Sequence, residues 1–249
     1  MSLIIYIIKK IYLRIFKKDL QKEILPYRFY LFEELVKQFS KSYFNNTNIL
    51  EIGPRDGLDT KRLESLNPAK ITLIDLPDKE EGNMEWLKDI KTQTEFITAN
   101  ILYMKRNELD NLGKFKLIYC TGVFYHNAEQ LKLIKKLYDL LEDDGVLVFE
   151  SSTIRNLFLR NLNVVQIWYP NTYRMTSTIT HLPSKKAILS WLKMVGFREI
   201  IISDCFKPRN LNLQKIRFAG FAIKKYEDRP GVYYSKQIKD SDYTLGGSE

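Results

Sequence analysis

Cysteine and histidine are scarce in this 249-residue chain, which holds two of each: Cys120 and Cys205, His126 and His181. Two cysteines cannot build a disulfide framework, and a reducing interior is the simpler setting for them. No Cys/His cluster has the spacing of metal ligands, so no metal is expected. Also lacking is an apolar run long enough to span a bilayer. In residues 3–18 the uninterrupted stretch ends at Ile8, and charges recur from Lys9 onward. The same segment has no small-residue cleavage region of the secretory kind, so a cytoplasmic location is expected, reaching at most the inner face of the membrane.

With 45% hydrophobic residues the chain can bury one good-sized core, and a single domain with an appended cap is the default. Cations exceed anions, 39 Lys and Arg against 30 Asp and Glu, for a net charge of +9. Lys9, Lys10, Arg14, Lys17, Lys18 and Lys22 face only Asp19 in residues 1–22, and the remainder reads as nearer balance. A general basic groove for nucleic acid is therefore less supported than the total suggests. As a helix, residues 3–18 align Ile4, Ile8, Ile11 and Ile15 on one stripe, suited to an anionic membrane face, to the chain's own domain or to a partner such as a second copy.

The stretch Asn48–Thr60, NILEIGPRDGLDT, reads as a short buried strand that turns abruptly into a helix. Gly53 and Gly57 let backbone approach a ligand where a Cβ would collide, although the same turn can be purely structural. A second apolar run, Lys70–Leu76, closes on Asp75 at strand–helix–strand spacing, and an acidic group there can accept both hydroxyls of a ribose. The pattern predicts helical rhythm over 24–43, β1 at 48–52, a helix at 58–66, β2 at 70–75 and a short helix near 82–91. It continues with β3 at Phe96–Ala99, β4 at Phe115–Cys120, a helix at 128–142 stopped by Glu142–Gly145, and β5 at Val146–Glu150. Residues 151–183 are irregular and read as a cap-like insertion; a helix at 185–195 with Ser184 as N-cap and two closing strands, Phe197–Ser203 and Ile216–Ile223, follow. The alternation argues for a parallel α/β sheet covered on both sides. The divisions are N-terminal helices over 1–44, the main domain over 45–224 and a tail over 225–249.

ILEIGPRDG at 49–57, LIDL at 73–76, ANI at 99–101, IYCTGVFYH at 118–126, GVLVFES at 145–151 and LPSKKAILSWLKMVGF at 182–197 together resemble the class I S-adenosylmethionine-dependent methyltransferases. Pro54-Arg55-Asp56 between the two glycines departs from the commonest Gly-x-Gly-x-Gly loop. The resemblance implies a three-layer, Rossmann-like fold with a mostly parallel seven-stranded sheet and an antiparallel final strand. Within that superfamily GVFYH at 122–126 and HLPS at 181–184 are similar to the tRNA wobble-uridine carboxymethyl-transferring group. Thr176–His181 lacks the arginine and aromatic pair with which that group holds a carboxylated cofactor, so ordinary S-adenosylmethionine is expected.

By resemblance, Glu51 and the loop with Gly53, Arg55 and Gly57 surround the amino-acid part of that cofactor. Asp75 takes its ribose, Leu76 covers its adenine, Asn100 and Ile101 meet the adenine edge, and Thr121-Gly122 runs beside the methionine portion. A hydroxyl acceptor needs a base, and His126 and His181 are the two imidazoles available for it. Tyr125, Tyr169, Tyr173, Arg174 and Glu150 are candidates to line the acceptor pocket, with the arginine suited to a phosphate or carboxylate. The expected activity is methyl transfer to a small-molecule or glycan acceptor, at oxygen. The alternatives are methylation of a tRNA base and a catalytically weak cofactor-binding interaction protein.

Overall fold

The computed structural model describes residues 27–76, 85–173, 179–207 and 216–226. The amphipathic stretch 3–18, Arg174 and the tail beyond residue 226 lie outside the described residues, as does the first part of the helix expected near 82–91.

A helix over 27–39 (α1) leads to β1 (Asn48–Ile52), α2 (Leu58–Glu64) and β2 (Lys70–Asp75). The helical residues 85–87 (α3), β3 (Thr94–Thr98), α4 (Arg106–Asn111), β4 (Phe115–Thr121), α5 (Gln130–Leu140) and β5 (Leu141–Ser152) follow. Next come β6 (Val165–Trp168), β7 (Thr180–Pro183), α6 (Lys185–Val195), β8 (Glu199–Ile202) and β9 (Arg217–Ile223). Seven strands form one sheet in the order β3-β2-β1-β4-β5-β9-β8, in which β9 runs antiparallel to both β5 and β8. The Rossmann-like α/β expectation is met, including the antiparallel final strand.

Burial on both faces of the sheet explains why the central strands, whose side chains alternate between those faces, read as continuous apolar runs. Ile49, Leu117, Tyr119, Val146 and Val148 pack on one face with Leu31 and Leu35 of α1 and Leu63 of α2. Their neighbours Leu50, Ile118, Cys120, Leu147 and Phe149 pack on the other with Leu133, Ile134 and Leu137 of α5 and Ile188, Leu192 and Val195 of α6. Both cysteines are buried as free thiols. Ser184 caps α6 as expected, its Oγ accepting the Ala187 N–H at 2.9 Å.

Three local features differ from the sequence expectation. Strand β5 begins at Leu141, and Glu142–Gly145 belongs to a shift of register between the Phe115↔Leu141 and Leu117↔Val146 pairs. Helix α4 was not foreseen, because RNELDN buries no residue and so has no apolar rhythm to read. The irregular insertion contains an antiparallel hairpin, β6 with β7, whose four-residue strands are too short for alternation to be legible.

The close passage of β8 and β9 depends on Gly220. A Cβ there would stand 2.4 Å from the Ile201 carbonyl oxygen and 2.9 Å from the Phe149 ring. The backbone contact cannot rotate away, so Gly220→Ala is expected to cost about 1–3 kcal/mol of stability. A fall in Tm on thermal unfolding checks this, and an unchanged Tm would contradict it.

Candidate active site

In a parallel sheet crossed by right-handed connections, the C-terminal strand ends share one edge, and ligands bind in the crevice outside it. The ends of β1, β2 and β4 bring Glu51, Asp75 and Thr121 to that edge. After β1 the chain turns through three left-handed residues, Gly53 (φ 71°), Arg55 (φ 56°) and Gly57 (φ 71°), before α2 begins. Gly57 is required sterically, since a Cβ on it would lie 2.2 Å from the Trp86 ring. Gly122 (φ 75°) ends β4, and its N–H donates to the Glu150 carbonyl at 3.1 Å.

Asp75 is half-buried at the end of β2, with one carboxylate oxygen receiving the Leu76 N–H at 2.8 Å, while Leu76 itself is exposed. Asn100 folds its side-chain oxygen onto the Leu102 N–H at 3.0 Å, and Ile101 is buried against the α5 side of the core. The loop after β3 is pinned by Lys136 of α5, whose ammonium donates to the carbonyls of Ile101, Leu102 and Met104 at 3.0, 2.7 and 2.8 Å. Burial and Lys132 together lower this lysine to about 8.

Beneath the glycine turn lies a buried charge cluster. Asp59, at the start of α2, accepts from Arg28 of α1 at 2.9 Å and from Arg62 at 2.6 Å. The Thr121 hydroxyl lies 3.4 Å from the same carboxylate. Arg28 is itself buried, its Nε has no partner, and a guanidinium nitrogen lies 3.7 Å from where a Gly122 Cβ would be. Glu51 accepts the Thr60 hydroxyl at 2.6 Å. Its burial, with the Asp59 carboxylate adding to it, pushes the Glu51 carboxyl from an ordinary 4.5 up to about 8.

A second cluster sits at the β5–β9 side. Glu150, a candidate to line the acceptor pocket, belongs to it. The residue is fully buried and held by Arg217, through Nε at 2.7 Å and a terminal nitrogen at 3.0 Å, with the Tyr27 hydroxyl at 3.2 Å. Its carboxylate is thereby engaged within the protein rather than offered at the surface. Tyr125 is half-buried as a residue, yet its hydroxyl lies deep, beside Arg217. Burial raises its pKa, Glu150 and Tyr173 add to this and Arg217 opposes it, so the phenol keeps its proton. Tyr173 also packs on Trp168, with ring centroids 5.9 Å apart.

The two histidines are placed differently. His126 is exposed in the short 3-10 turn Phe124–His126, its ring 4.1 Å from that of Tyr125. His181 pairs across the hairpin with Ile167, on the face whose Ile167 is exposed, while Trp168 and Thr180 share the opposite face. The backbones of the two histidine segments are nevertheless joined. Gln130 donates to the Phe124 carbonyl at 2.9 Å and to the His181 carbonyl at 2.7 Å. Tyr169 is 77% exposed and stands outside the Tyr125–Tyr173 group.

A family described as "Methyltransferase domain" matches residues 24–201, most of the chain. The chain belongs to this methyltransferase-domain family. Among curated relatives, a tRNA U34 carboxymethyltransferase of Campylobacter jejuni subsp. doylei is 24% identical over 81% of this chain and 64% of its own length. One of Helicobacter pylori is 25% identical over 64% of this chain and 62% of its own length. The chain thus spans less than two thirds of these relatives. Among solved structures, the N-terminal domain of EvdMO1 with bound SAH superposes with a TM-score of 0.58 at 17% identity, covering 77% of this chain and 79% of that one. The N-methyltransferase NodS of Bradyrhizobium japonicum, in complex with S-adenosyl-L-homocysteine, gives 0.51 at 16% identity, covering 77% and 86%.

In this methyltransferase domain, sequence reading missed Tyr27, Arg28, Asp59, Gln130 and Arg217. A signal existed for one of them. Arg217 opens the apolar run RFAGFAI, just as Glu150 interrupts GVLVFES, and opposite charges in two apolar strands point to a buried pair. Gln130 carries no such mark.

Glu51 generates a prediction about pH. The unfolded carboxyl loses its proton near 4.5 and the folded one near 8, so the folded state binds more protons between those values. The stability contributed by the protonated group is complete below about pH 4.5 and is lost as pH rises through about 8. Glu51→Gln is expected to flatten the fall of Tm across that window. Parallel slopes for variant and parent in pH-dependent melts would contradict it.

Proposed function

We propose that this chain transfers the methyl group of S-adenosylmethionine to an oxygen of a small or glycan-type acceptor. The observation that carries the reading is the convergence on one sheet edge of a glycine turn, the Asp75 strand end and the Tyr125–Arg217–Glu150 cluster. The residues fit the cofactor. Gly53, Gly57 and Gly122 leave backbone bare at left-handed positions, and Arg28 brings a buried guanidinium with an unpartnered Nε to the same place. Arg28 and the turn would hold the amino-acid end, Asp75 the ribose hydroxyls, and Leu76 with the Asn100–Ile101 loop the adenine. Both the EvdMO1 domain and NodS are described with the demethylated product bound, which agrees with this assignment.

The cofactor supplies a methyl already activated on a sulfonium. The protein has to hold an acceptor in line and remove its proton. Tyr125, protonated and fixed beside Arg217, donates a hydrogen bond to the acceptor. The exposed His126, packed against the Tyr125 ring, takes the hydroxyl proton as the carbon–oxygen bond forms. The Gln130 bridge, made to the His181 backbone carbonyl, holds the hairpin beside the Phe124–His126 turn.

A tRNA base is the second reading, and the names of the curated relatives favour it over a glycan. Incubation of the purified chain with methyl-labelled S-adenosylmethionine and fractionated native extract decides between them. Label in glycan or metabolite fractions supports the proposal; label in RNA transfers it to tRNA. Cofactor binding with no label in any fraction leaves a binding protein. Asp75→Ala is expected to weaken cofactor binding about tenfold or more with the fold intact, and unchanged affinity on titration would remove its ribose role. His126→Ala is expected to keep cofactor affinity and lower turnover by about 100-fold or more. An unchanged turnover and pH–rate profile would move the base elsewhere.

A further inference from the structure

The segment after β5 combines two features that methyl transfer does not use. From Ser151 to Arg198 there is no Asp or Glu, while Arg155, Arg160, Arg174, Lys185, Lys186, Lys193 and Arg198 are all cationic. The positive surplus is therefore not confined to residues 1–22. In the same segment Leu157, Phe158, Leu162, Ile167, Tyr169 and Ile179 expose large apolar side chains, with Phe158 at 88% and Ile167 at 62%. Isolated apolar side chains on a surface are ordinary, but a succession along one segment marks a contact surface.

Local geometry presents these side chains deliberately. The Asn156 side chain accepts the N–H groups of Phe158 at 2.9 Å and Leu159 at 3.3 Å, closing the turn that projects Phe158. In β6, Val165 and Ile167 face solvent while Gln166 and Trp168 are half-buried, and β7 buries Thr180 and Leu182. The hairpin thus has an inward face and an apolar outward one.

We propose that this surface docks on an anionic lipid bilayer, its apolar side chains entering the boundary between headgroups and acyl chains and the exposed Arg155 and Lys186 meeting lipid phosphates. Aliphatic side chains such as Leu157, Leu162 and Ile167 gain by leaving water for hydrocarbon, whereas phosphodiesters and base edges offer them little. The absence of acids from the whole segment matches a negatively charged surface rather than a zwitterionic one. Among the described residues no helix is long and apolar enough to cross a membrane, so the contact is peripheral. The segment springs from the C-terminal end of β5, which would bring a membrane-borne acceptor to the catalytic edge. That consequence rests on the function proposed above; the docking itself does not.

Flotation of the full chain with phosphatidylcholine vesicles, with and without phosphatidylglycerol, tests the proposal. Binding is expected to be stronger with phosphatidylglycerol and to weaken with salt. The double substitution Phe158→Ser with Ile167→Ser is expected to lower partitioning about tenfold or more, with Tm and cofactor binding retained. Arg155→Glu, which leaves the apolar side chains in place, is expected to weaken binding only to the phosphatidylglycerol vesicles. Several outcomes would overturn the idea: no vesicle binding by the parent chain, or undiminished binding by the double variant, which would assign the contact to residues 1–26. Loss in the variant of tRNA binding or of concentration-dependent self-association, without vesicle binding by the parent, would give the surface to RNA or to a second copy.

Discussion

Glu150 is a fully buried carboxylate, and the β5–β9 side of the sheet edge is arranged around neutralising it. Ser152 pairs with Arg217 and Glu150 with Ala219, so Glu150 and Arg217 are diagonal neighbours on one face of antiparallel strands. That geometry allows the two-pronged contact at 2.7 and 3.0 Å. Removing one partner of such a pair strands a buried charge, at a cost of about 3–5 kcal/mol. The pair matches the observed register of β9 against β5, and it holds Arg217 beside the Tyr125 hydroxyl.

The same constraint operates at the glycine turn, and one helix serves both places. Tyr27 of α1 donates to Glu150, while the next residue, Arg28, meets Asp59 under the turn. Consecutive residues of α1 thus tie the glycine-turn side of the edge to the Glu150 side. Helix α1 contributes to both buried charge clusters as well as forming a layer over the sheet, with Leu31 and Leu35 buried by the same helix. An unpartnered Nε on Arg28 and a hydroxyl without a partner on Tyr119 remain in that cluster. Such groups tend to mark places where polar ligand atoms or water complete the bonding.

The edge is also polarised in chemical character. Below the turn the groups are charged and buried; around Tyr125, Tyr173 and Trp168 they are aromatic and half-buried. Beyond them, from Leu157 to Tyr169, they are apolar and exposed on a background free of acids. A ligand crossing this edge would pass from a polar cradle through an aromatic collar to an oily, cationic rim. This gradient arises because the insertion after β5 has too few residues to form a core of its own. Its hairpin buries one face and leaves the other outside.

The sequence by itself determined the fold class and the order of the buried strands and helices, though not α4 or the β6–β7 hairpin, because core strands buried on both faces and helices buried on one leave distinct apolar periods. It also located the glycine turn, the Asp75 strand end and the Ser184 cap, each of which is local chemistry contained in a few neighbouring residues. Only the tertiary structure decided which charges meet. Arg217 lies 67 residues from Glu150, and Arg28 lies 31 from Asp59. No periodicity encodes a pairing that depends on how strands and helices pack. Glu150 is covered by β9 and held by Arg217, and of the two candidate histidines His126 is exposed while His181 is half-buried in the hairpin. The reason is physical: backbone preference acts over a turn or two, whereas the energy of a buried charge depends on everything that excludes water from it.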